Sequence, residues 1–257
     1  MHIPTQVSAL LQSLTENLAA ILRANLVGVY LYGSITQRAF NPKRSDVDCI
    51  VVTKRELSEK QFARLRKWLT VSAKLNSWTT RLQITFLIKD QVLTMTARAC
   101  LYQFGILKRC GSDGNPIIWL NVLKSGAVLF GPSAESFVPP ITSKILFQAL
   151  QREVGYLREE ISNKPKSEWR DVSSYRDYAV LTLCRILYSG RKGTIVSKQT
   201  AANWAIKHLP LRWRHIIRQA MRNKSLGRAK RIPLHQIRQF IDFADAQLHL
   251  DDRTIHR

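Results

Sequence analysis

Acidic residues are scarce in this sequence, and patterns that define several other protein classes are absent. The chain has 18 Asp or Glu against 40 Lys or Arg, which gives a formal net charge of +22. Its cysteines are Cys49, Cys100, Cys110 and Cys184. They are scattered, with no CxxC pair and no Cys/His cluster at zinc-like spacing. The spacing gives no sign of a disulfide framework or a zinc site and predicts reduced structural thiols, as in a cytoplasmic protein.

Long apolar runs are missing as well. No stretch approaches the roughly 20 residues of a membrane span, and the N-terminus lacks the basic segment and apolar run of a secretory signal. There is no internal repeat and no low-complexity tract. With 257 residues and 45% hydrophobic content, the chain can form one large domain or two modest ones with a real core. We therefore expect a folded cytoplasmic protein with no membrane partner.

One signature is sharp, and it joins two apolar strands. Gly33-Ser34 closes the apolar segment 27–32, and Asp46-Val47-Asp48 opens the apolar segment 49–52. Gly33 has no Cβ, so the backbone there can approach a phosphate closely. The Ser34 hydroxyl and neighbouring N–H groups can donate to phosphate oxygens. The first half of the signature therefore predicts a phosphate-binding turn.

The second half of the signature predicts a metal site. Residues i and i+2 of a strand share a face, so Asp46 and Asp48 should point the same way while Val47 points into the core. Two carboxylates suit Mg²⁺, which typically takes one or two of them plus substrate phosphates. A Gly-Ser turn or an Asp-x-Asp pair alone is common on solvated surfaces. Together, each attached to an apolar strand, they predict a metal-dependent nucleotidyltransferase site.

At these residues the chain resembles the aminoglycoside nucleotidyltransferase family, specifically the streptomycin/spectinomycin adenylyltransferases. The similarity runs from about residue 26 to residue 210 in the order of that family. The further matching segments are Val128-Leu-Phe-Gly-Pro132, Val180-Leu-Thr-Leu-Cys-Arg185 with Tyr188-Ser189, Ser197-Lys198, Ala201-Ala202, Trp204-Ala205 and Leu209-Pro210.

The resemblance implies a fold and a division into domains. We expect a mixed-sheet α/β nucleotidyltransferase domain over residues 1–140 and an all-α helical bundle over residues 141–257. It also implies an enzyme that uses ATP and Mg²⁺ to transfer AMP to an acceptor hydroxyl. By resemblance, that acceptor is a small molecule similar to an aminoglycoside.

The resemblance also assigns site residues. Asp46 and Asp48 are expected to hold Mg²⁺, and the nucleotide is expected to contact both domains. The residues expected to bind ATP are Gly33, Ser34, Ser45, Arg185 and Lys198.

Two positions depart from the family pattern. The family has a catalytic Glu on the next strand, which acts as base for the acceptor hydroxyl, and the matching residue here is Gln83. A glutamine amide has no basic site that could take a proton. The family also has an acidic stretch that receives the cationic drug, and the matching segment 174–178 has Asp177 as its only acid. The nucleotide half of the site is retained, whereas the acceptor half is not.

The basic residues are concentrated in one part of the chain. Between Asp177 and Asp242 there are fourteen Lys or Arg and no acidic residue. Such a surface attracts polyanions and repels a cationic aminoglycoside. It is also compatible with a solubilising surface that includes some ATP contacts. We hypothesise nucleic-acid binding through residues 185–238, with Trp204 and Trp213 expected in the core.

Two cations of this region have alternative interpretations. Arg185 lies in an apolar helical segment, and a buried Arg needs an anionic partner. That partner is either the ATP triphosphate or a carboxylate of Glu159 or Glu160. Lys198 is either a surface residue at a helix start or a phosphate contact.

Hydrophobic periodicity predicts the elements in outline. In the first domain it predicts helices over 4–24, 56–74 and 92–109, strands over 82–88 and 127–130, a strand or helix over 117–123 and a turn over 111–114. Pro139-Pro140 marks the boundary. Beyond it we predict helices over 142–161, 175–189, 197–208, 211–224 and 233–249. Gly190 and Gly193 are predicted to end a helix, and 162–172 is predicted to be a loop.

Three functions remain open from the sequence. The first is an Mg²⁺- and ATP-dependent adenylyltransferase. The second is a protein of the same fold that binds RNA or another polyanion through its basic helical domain, with weak or no adenylyl transfer. The third is a non-catalytic nucleotide sensor. A drug acceptor predicts a compact acidic pocket, whereas a polyanion predicts a continuous basic cleft.

Overall fold

The computed structural model describes residues 3–94, 98–111, 114–162, 173–226 and 230–255. The chain forms two compact units, Met1–Pro140 and Ile141–Arg257. Within the described residues, no helix is both long and apolar enough to cross a membrane.

The first unit is built on one six-stranded mixed sheet. Its spatial order is β5-β4-β3-β2-β1-β6. Only the β2/β3 pair is parallel, and the other neighbours are antiparallel. The strands are β1 (Leu26–Tyr32), β2 (Val47–Thr53), β3 (Leu82–Ile88), β4 (Arg98–Gln103), β5 (Ile106–Gly111) and β6 (Ala127–Phe130).

The central strands are apolar nearly throughout because both faces of the sheet are covered. Helices α1 (Thr5–Leu22) and α2 (Glu59–Leu75) share one core cluster with Val29, Leu31 and Val51. Tyr30 points to the opposite face, where its ring lies 6.0 Å from that of Trp119 on α3 (Pro116–Ser125). The sheet is therefore packed on both faces where β1 and β2 lie side by side, next to the signature residues.

Local sequence explains where α2 and α3 begin. Ser58 and Gln61 form a reciprocal capping box at the start of α2. Asn115 caps α3 by accepting from the Ile117 N–H, and Pro116 occupies the first turn. The segment 117–123, predicted as strand or helix, is thus helical.

The predicted helix over 92–109 is wrong, because this region contains the hairpin of β4 and β5. Phe104 and Gly105 have φ angles of 52° and 77°, the positive values that a tight hairpin turn requires. Cys100 and Tyr102, two residues apart on β4, are both buried, as the alternation of a strand requires. Tyr102 pairs with Ile84 of β3. Pairing with β3 therefore overrides the helical spacing. In the predicted turn 111–114, residues 112–113 lie outside the described residues.

The second unit is helical wherever it is described. Its helices are α4 (Ser143–Ser162), α5 (Ser173–Lys192), α6 (Lys198–His208), α7 (Leu211–Leu226) and α8 (Leu234–Ile255). Helix α5 packs against the other four helices, and Val180, Leu183 and Cys184 on it are fully buried. The predicted loop 162–172 falls largely on residues 163–172, which lie outside the described residues.

Gly190 does not end a helix as predicted. Helix α5 continues through it to Lys192, and Gly193, with φ of 62°, follows the last turn. A Cβ at Gly190 would lie 2.6 Å from Cδ2 of Leu248. Gly190 is therefore a close-packing position between α5 and α8.

Candidate active site

Gly33 directly follows β1 and adopts a backbone conformation that favours glycine. Its φ is +81°, and a Cβ on it would lie 2.2 Å from Oδ2 of Asp48. Any side chain at this position would therefore both strain the turn and displace the Asp48 carboxylate. The turn and the second strand of the signature are thus in direct contact.

Hydrogen bonds within the turn hold the Gly33 and Ser34 backbone in place. The Gly33 carbonyl accepts from the Gln37 N–H at 3.0 Å and from the Thr36 hydroxyl at 3.2 Å. The Ser34 carbonyl accepts from the Ala39 N–H at 2.9 Å. The side chain of Gln37 donates to Asn121 of α3 at 3.2 Å, which ties the turn to the covering helix. Ser34 is half-buried in this rigid turn.

Asp46 immediately precedes β2, and Asp48 is the second residue of that strand. Val47 between them is fully buried, whereas Asp46 is exposed and Asp48 is half-buried. Asp48 pairs with Tyr32 of β1 on one side and with Gln83 of β3 on the other. The alternation that places Val47 in the core leaves both carboxylates at one edge of the sheet.

Gln83 lies beside both carboxylates. Its amide Nε2 donates to Oδ2 of Asp46 at 3.0 Å, and its backbone is in register with Asp48. The residue matched to the family base is therefore in the site, and it acts there as a hydrogen-bond donor.

Sequence analysis missed Arg81, which orders the loop before Asp46. Its guanidinium donates to the Pro42 carbonyl at 2.7 Å and to the Ser45 carbonyl, and it lies 4.1 Å from the ring centroid of Trp78. The available signal was its position, since it immediately precedes the strand that pairs with Asp46-x-Asp48. Ser45 also contributes to this loop, because its hydroxyl accepts from the Asn41 N–H at 2.9 Å.

The carboxylate pair fits an Mg²⁺ ion. No group of three or more His, Cys, Asp or Glu side chains able to hold a metal occurs within the described parts of the chain. Mg²⁺ does not need such a group, because it retains waters and binds through one or two carboxylates plus substrate phosphates. Asp46 and Asp48 would supply those carboxylates, and the lack of a Cβ at Gly33 leaves the Asp48 carboxylate room to lie against the turn.

Arg185, on α5 of the second unit, is half-buried among apolar neighbours. Both readings of its partner, the ATP triphosphate or a carboxylate of Glu159 or Glu160, stay predictions. A partly buried guanidinium is suited to an anionic partner of either kind.

Lys198 is the first residue of α6. The side chain of Ser197 caps this helix by accepting from the Thr200 N–H at 3.1 Å. The Lys198 ammonium lies 3.5 Å from the ring centroid of Tyr178 on α5. This cation–π contact holds the ammonium near the surface of the helical unit.

Asp177 is turned into the helical unit and is not displayed on its surface. It is 6% exposed, and it accepts a hydrogen bond from Nδ2 of Asn223 at 2.8 Å. Burial raises its pKa to about 6, against the opposing effect of the Asn223 hydrogen bond. The only acid of the predicted acceptor stretch is therefore a core residue.

Asp177 should make stability fall as the pH rises. Its folded-state pKa of about 6 lies above the ordinary value of 3.8, so between these pH values the native state holds a proton that the unfolded state has lost. The stabilisation is present below about pH 4 and is lost as pH rises through 6. We expect Asp177→Asn to be more stable than wild type by about 1–3 kcal/mol at pH 7 and nearly equal to it at pH 4. Urea unfolding of both proteins at pH 4 and pH 7 measures this difference in the free energy of unfolding.

The matched control is Asp90→Asn, which changes an exposed carboxylate of the first unit. Because this carboxylate is exposed, we expect its removal to change the free energy of unfolding at pH 7 by less than Asp177→Asn does. An Asp177→Asn variant that tracks wild type at both pH values would mean that Asp177 is solvated in the native protein.

Family models match a large part of each unit. Residues 15–97 match the family model described as a nucleotidyltransferase domain. Residues 136–247 match the model described as the C-terminal domain of aminoglycoside adenylyltransferase. The two matches follow each other along the chain in the order of the two units.

Curated relatives match over most of the chain. An aminoglycoside (3'') (9) adenylyltransferase of Shigella flexneri is 27% identical over 260 residues, which cover 95% of each protein. A spectinomycin 9-adenylyltransferase of Campylobacter jejuni is 26% identical over 226 residues, which cover 82% of this chain and 81% of that one.

A solved structure shares the fold. The crystal structure of a spectinomycin adenyltransferase from Enterococcus faecialis, determined with ATP and spectinomycin, matches with a TM-score of 0.72. The match covers 96% of this chain and 100% of the other at 18% sequence identity. This likeness confirms the predicted fold class, a nucleotidyltransferase sheet domain followed by a helical region. The two family models and the curated relatives show that the chain belongs to the aminoglycoside nucleotidyltransferase family.

Proposed function

We propose that this protein is an ATP-dependent adenylyltransferase that transfers AMP from ATP to an acceptor hydroxyl. The observation that carries the proposal is the contact between the Gly33 turn and Asp48, with Gln83 and Asp46 on the adjoining strand ends. A tight glycine turn against a carboxylate pair is a site for a metal-bound polyphosphate.

Each residue then has a role in binding the nucleotide. The Gly33-Ser34 turn offers N–H groups and a hydroxyl to phosphate oxygens, and Asp46 and Asp48 hold Mg²⁺. When bound, Mg²⁺ offsets the negative charge that develops on the leaving pyrophosphate. On the family resemblance alone, Arg185 and Lys198 stay proposed contacts of the triphosphate. The Ser45 hydroxyl supports the loop that carries Asp46.

The acceptor step needs a destination for one proton. The acceptor oxygen attacks the α-phosphorus, the bond from that phosphorus to the bridging oxygen breaks, and pyrophosphate leaves. The hydroxyl proton cannot pass to the amide of Gln83, so it leaves to a solvent water. Loss of a positioned base typically lowers a rate by about 10²–10⁴-fold. The enzyme is therefore slow with acceptors whose hydroxyl needs a base.

The names of the relatives guide the choice of acceptor. They support a small polyhydroxylated acceptor of the aminoglycoside or spectinomycin type. Asp177 does not contribute to its binding, because this carboxyl is buried against Asn223. With a net charge of +22, the protein should favour acceptors that carry little positive charge.

The test is transfer of radiolabel from ATP. The full chain is incubated with Mg²⁺ and ATP labelled at the α-phosphate, together with spectinomycin, streptomycin, other aminoglycosides, RNA and proteins in turn. We expect label on one class of small acceptor, and no label when the γ-phosphate carries the isotope. Tight ATP binding with no transfer to any acceptor would instead identify a nucleotide-sensing module.

A further inference from the structure

Helix α7 of the second unit carries a row of arginines above a groove. Arg214, Arg218 and Arg222 follow each other at intervals of four residues, which places them on one face about 6 Å apart along the axis. They line a groove of about 630 Å³ together with His215, and its apolar wall includes Met221. We call this feature the arginine groove.

Acidic side chains are absent from the lining of the arginine groove, as far as the described residues show. The sequence has no acid between Asp177 and Asp242. Arg218 is exposed, whereas Arg214 is half-buried and its buried Nε has no hydrogen-bond partner. A buried donor without a partner is uncommon in folded proteins, and this one belongs to a residue that lines the groove.

A second cavity lies on the other flank of α7. It has a volume of about 590 Å³ and is lined by Arg212, Trp213, Gln236 and Phe243. We call it the aromatic cavity. The rings of Trp213 and Phe243 are 5.4 Å apart, and the Arg212 guanidinium lies 5.0 Å from the Trp213 centroid. Planar groups of this kind stack on one another and on other flat rings.

The aromatic cavity also holds unsatisfied polar atoms. Trp213 is 6% exposed, and its indole N–H has no hydrogen-bond partner. The buried Oε1 of Gln236 has no donor. Asp242 also lines the cavity, but Arg158 donates to it at 3.0 Å and offsets its charge. The residues that line the cavity therefore include one buried donor and one buried acceptor without partners, beside flat apolar surfaces.

His215 lines both the arginine groove and the aromatic cavity, so the two features adjoin across α7. A row of cations that suits phosphates thus lies next to a cavity that suits a planar ring with donors and acceptors on its edge. That combination matches a nucleic-acid strand whose bases are unpaired. A duplex presents its phosphates but keeps its base faces stacked inside.

We propose that α7 is a docking surface for single-stranded nucleic acid, with phosphates on the arginine groove and a base in the aromatic cavity. No residue of this surface is assigned to the proposed nucleotide site, so either proposal can fail without the other.

The test is fluorescence anisotropy of the full chain with a labelled 20-nucleotide RNA and its DNA counterpart, from 50 to 200 mM salt. The first variant combines Arg214→Gln, Arg218→Gln and Arg222→Gln. Single-strand binding loses about 0.7 in the slope of log affinity against log salt for each phosphate contact removed. We expect this variant to flatten the slope by about 2.

The matched control removes the same charge from exposed cations of α2, with Lys60→Gln, Arg64→Gln and Lys67→Gln. Its slope should stay close to wild type. Equal flattening in both triple variants would overturn the proposal, because binding would then follow total charge and not the groove. Failure of the wild type to bind either strand at 50 mM salt would also overturn it.

A second variant tests the aromatic cavity separately. Phe243→Leu keeps apolar volume but removes a stacking ring, and one base stack corresponds to about a five- to hundredfold change in affinity. We expect weaker single-strand binding by about tenfold with an unchanged salt slope. A duplex, heparin or anionic vesicles that bind as tightly as the single strand would overturn the assignment to unpaired bases. Asp46→Asn should leave all of these measurements unchanged.

Discussion

Replacing Asp46 or Asp48 with Asn is expected to abolish AMP transfer and the Mg²⁺ dependence of ATP binding while the fold stays intact. Each change keeps the size of the side chain but removes a carboxylate from a pair that fits one Mg²⁺. Charge stabilisation of this kind is worth several kcal/mol, so transfer should fall by at least about 10²–10³-fold. Calorimetry with ATP, with and without Mg²⁺, and label transfer measure the two effects.

The two variants should differ in their secondary effects. In Asp46→Asn the new amide oxygen can still accept the hydrogen bond from Gln83, so the β3 edge should be undisturbed. Position 48 packs against Gly33, so Asp48→Asn should also affect the phosphate turn. Asp90→Asn, on the same unit, is the control for a general loss of negative charge. Unchanged Mg²⁺-dependent ATP affinity in both site variants would remove the metal site from the proposed mechanism.

Gln83→Glu is expected to raise adenylyl transfer to a hydroxyl acceptor by about 10²–10⁴-fold, the usual contribution of a positioned general base. Gln83 is in register with Asp48 and lies 3.0 Å from Asp46, so a carboxylate at this position would be inside the site. It would accept the acceptor proton that the amide cannot take. The rate of label transfer as a function of pH measures the change, and a new acidic limb should appear in the profile.

The same substitution, Gln83→Glu, should lower the stability of the folded protein when no metal is bound. The amide donates to Asp46, whereas a glutamate would place a second negative charge beside it. We expect a lower melting temperature for Gln83→Glu in chelator and recovery of that temperature with added Mg²⁺. A structural role for position 83 alone would not produce this dependence on the metal.

Gln83→Met provides the control, since it removes the amide without adding a base. It should not transfer faster than wild type. If Gln83→Glu is also no faster, then position 83 does not reach the acceptor hydroxyl or another group already takes the proton.

The local spacing of apolar residues was sufficient to predict most of the helices and the central strands. The apolar spacing over 4–24 corresponds to α1, and strand β3 has the predicted bounds of Leu82–Ile88. The prediction failed over 92–109, where apolar residues at helical spacing pair instead with the edge of β3. Strand pairing is a long-range interaction, so the sequence of a segment does not reveal whether a neighbouring edge is available to it.

The signature residues were identifiable because their chemistry is local. Gly33 must be glycine for the backbone to turn with a positive φ, and Asp46 and Asp48 share a side of a strand by simple alternation. Arg81 was not predicted, because its guanidinium binds two backbone carbonyls. Every residue has a backbone carbonyl, so the sequence does not indicate which ones an arginine will bind.

What the sequence determined by itself is the family pattern, the carboxylate pair, the missing base at Gln83 and the excess of positive charge. These depend on residue identity and short spacing. The tertiary structure alone decided which groups meet: Asp177 buried against Asn223, Gln83 donating to Asp46, and arginines aligned beside an aromatic cavity on α7. Burial and hydrogen-bond partners arise from segments far apart in the chain, and they decide whether a charge faces a ligand or the core.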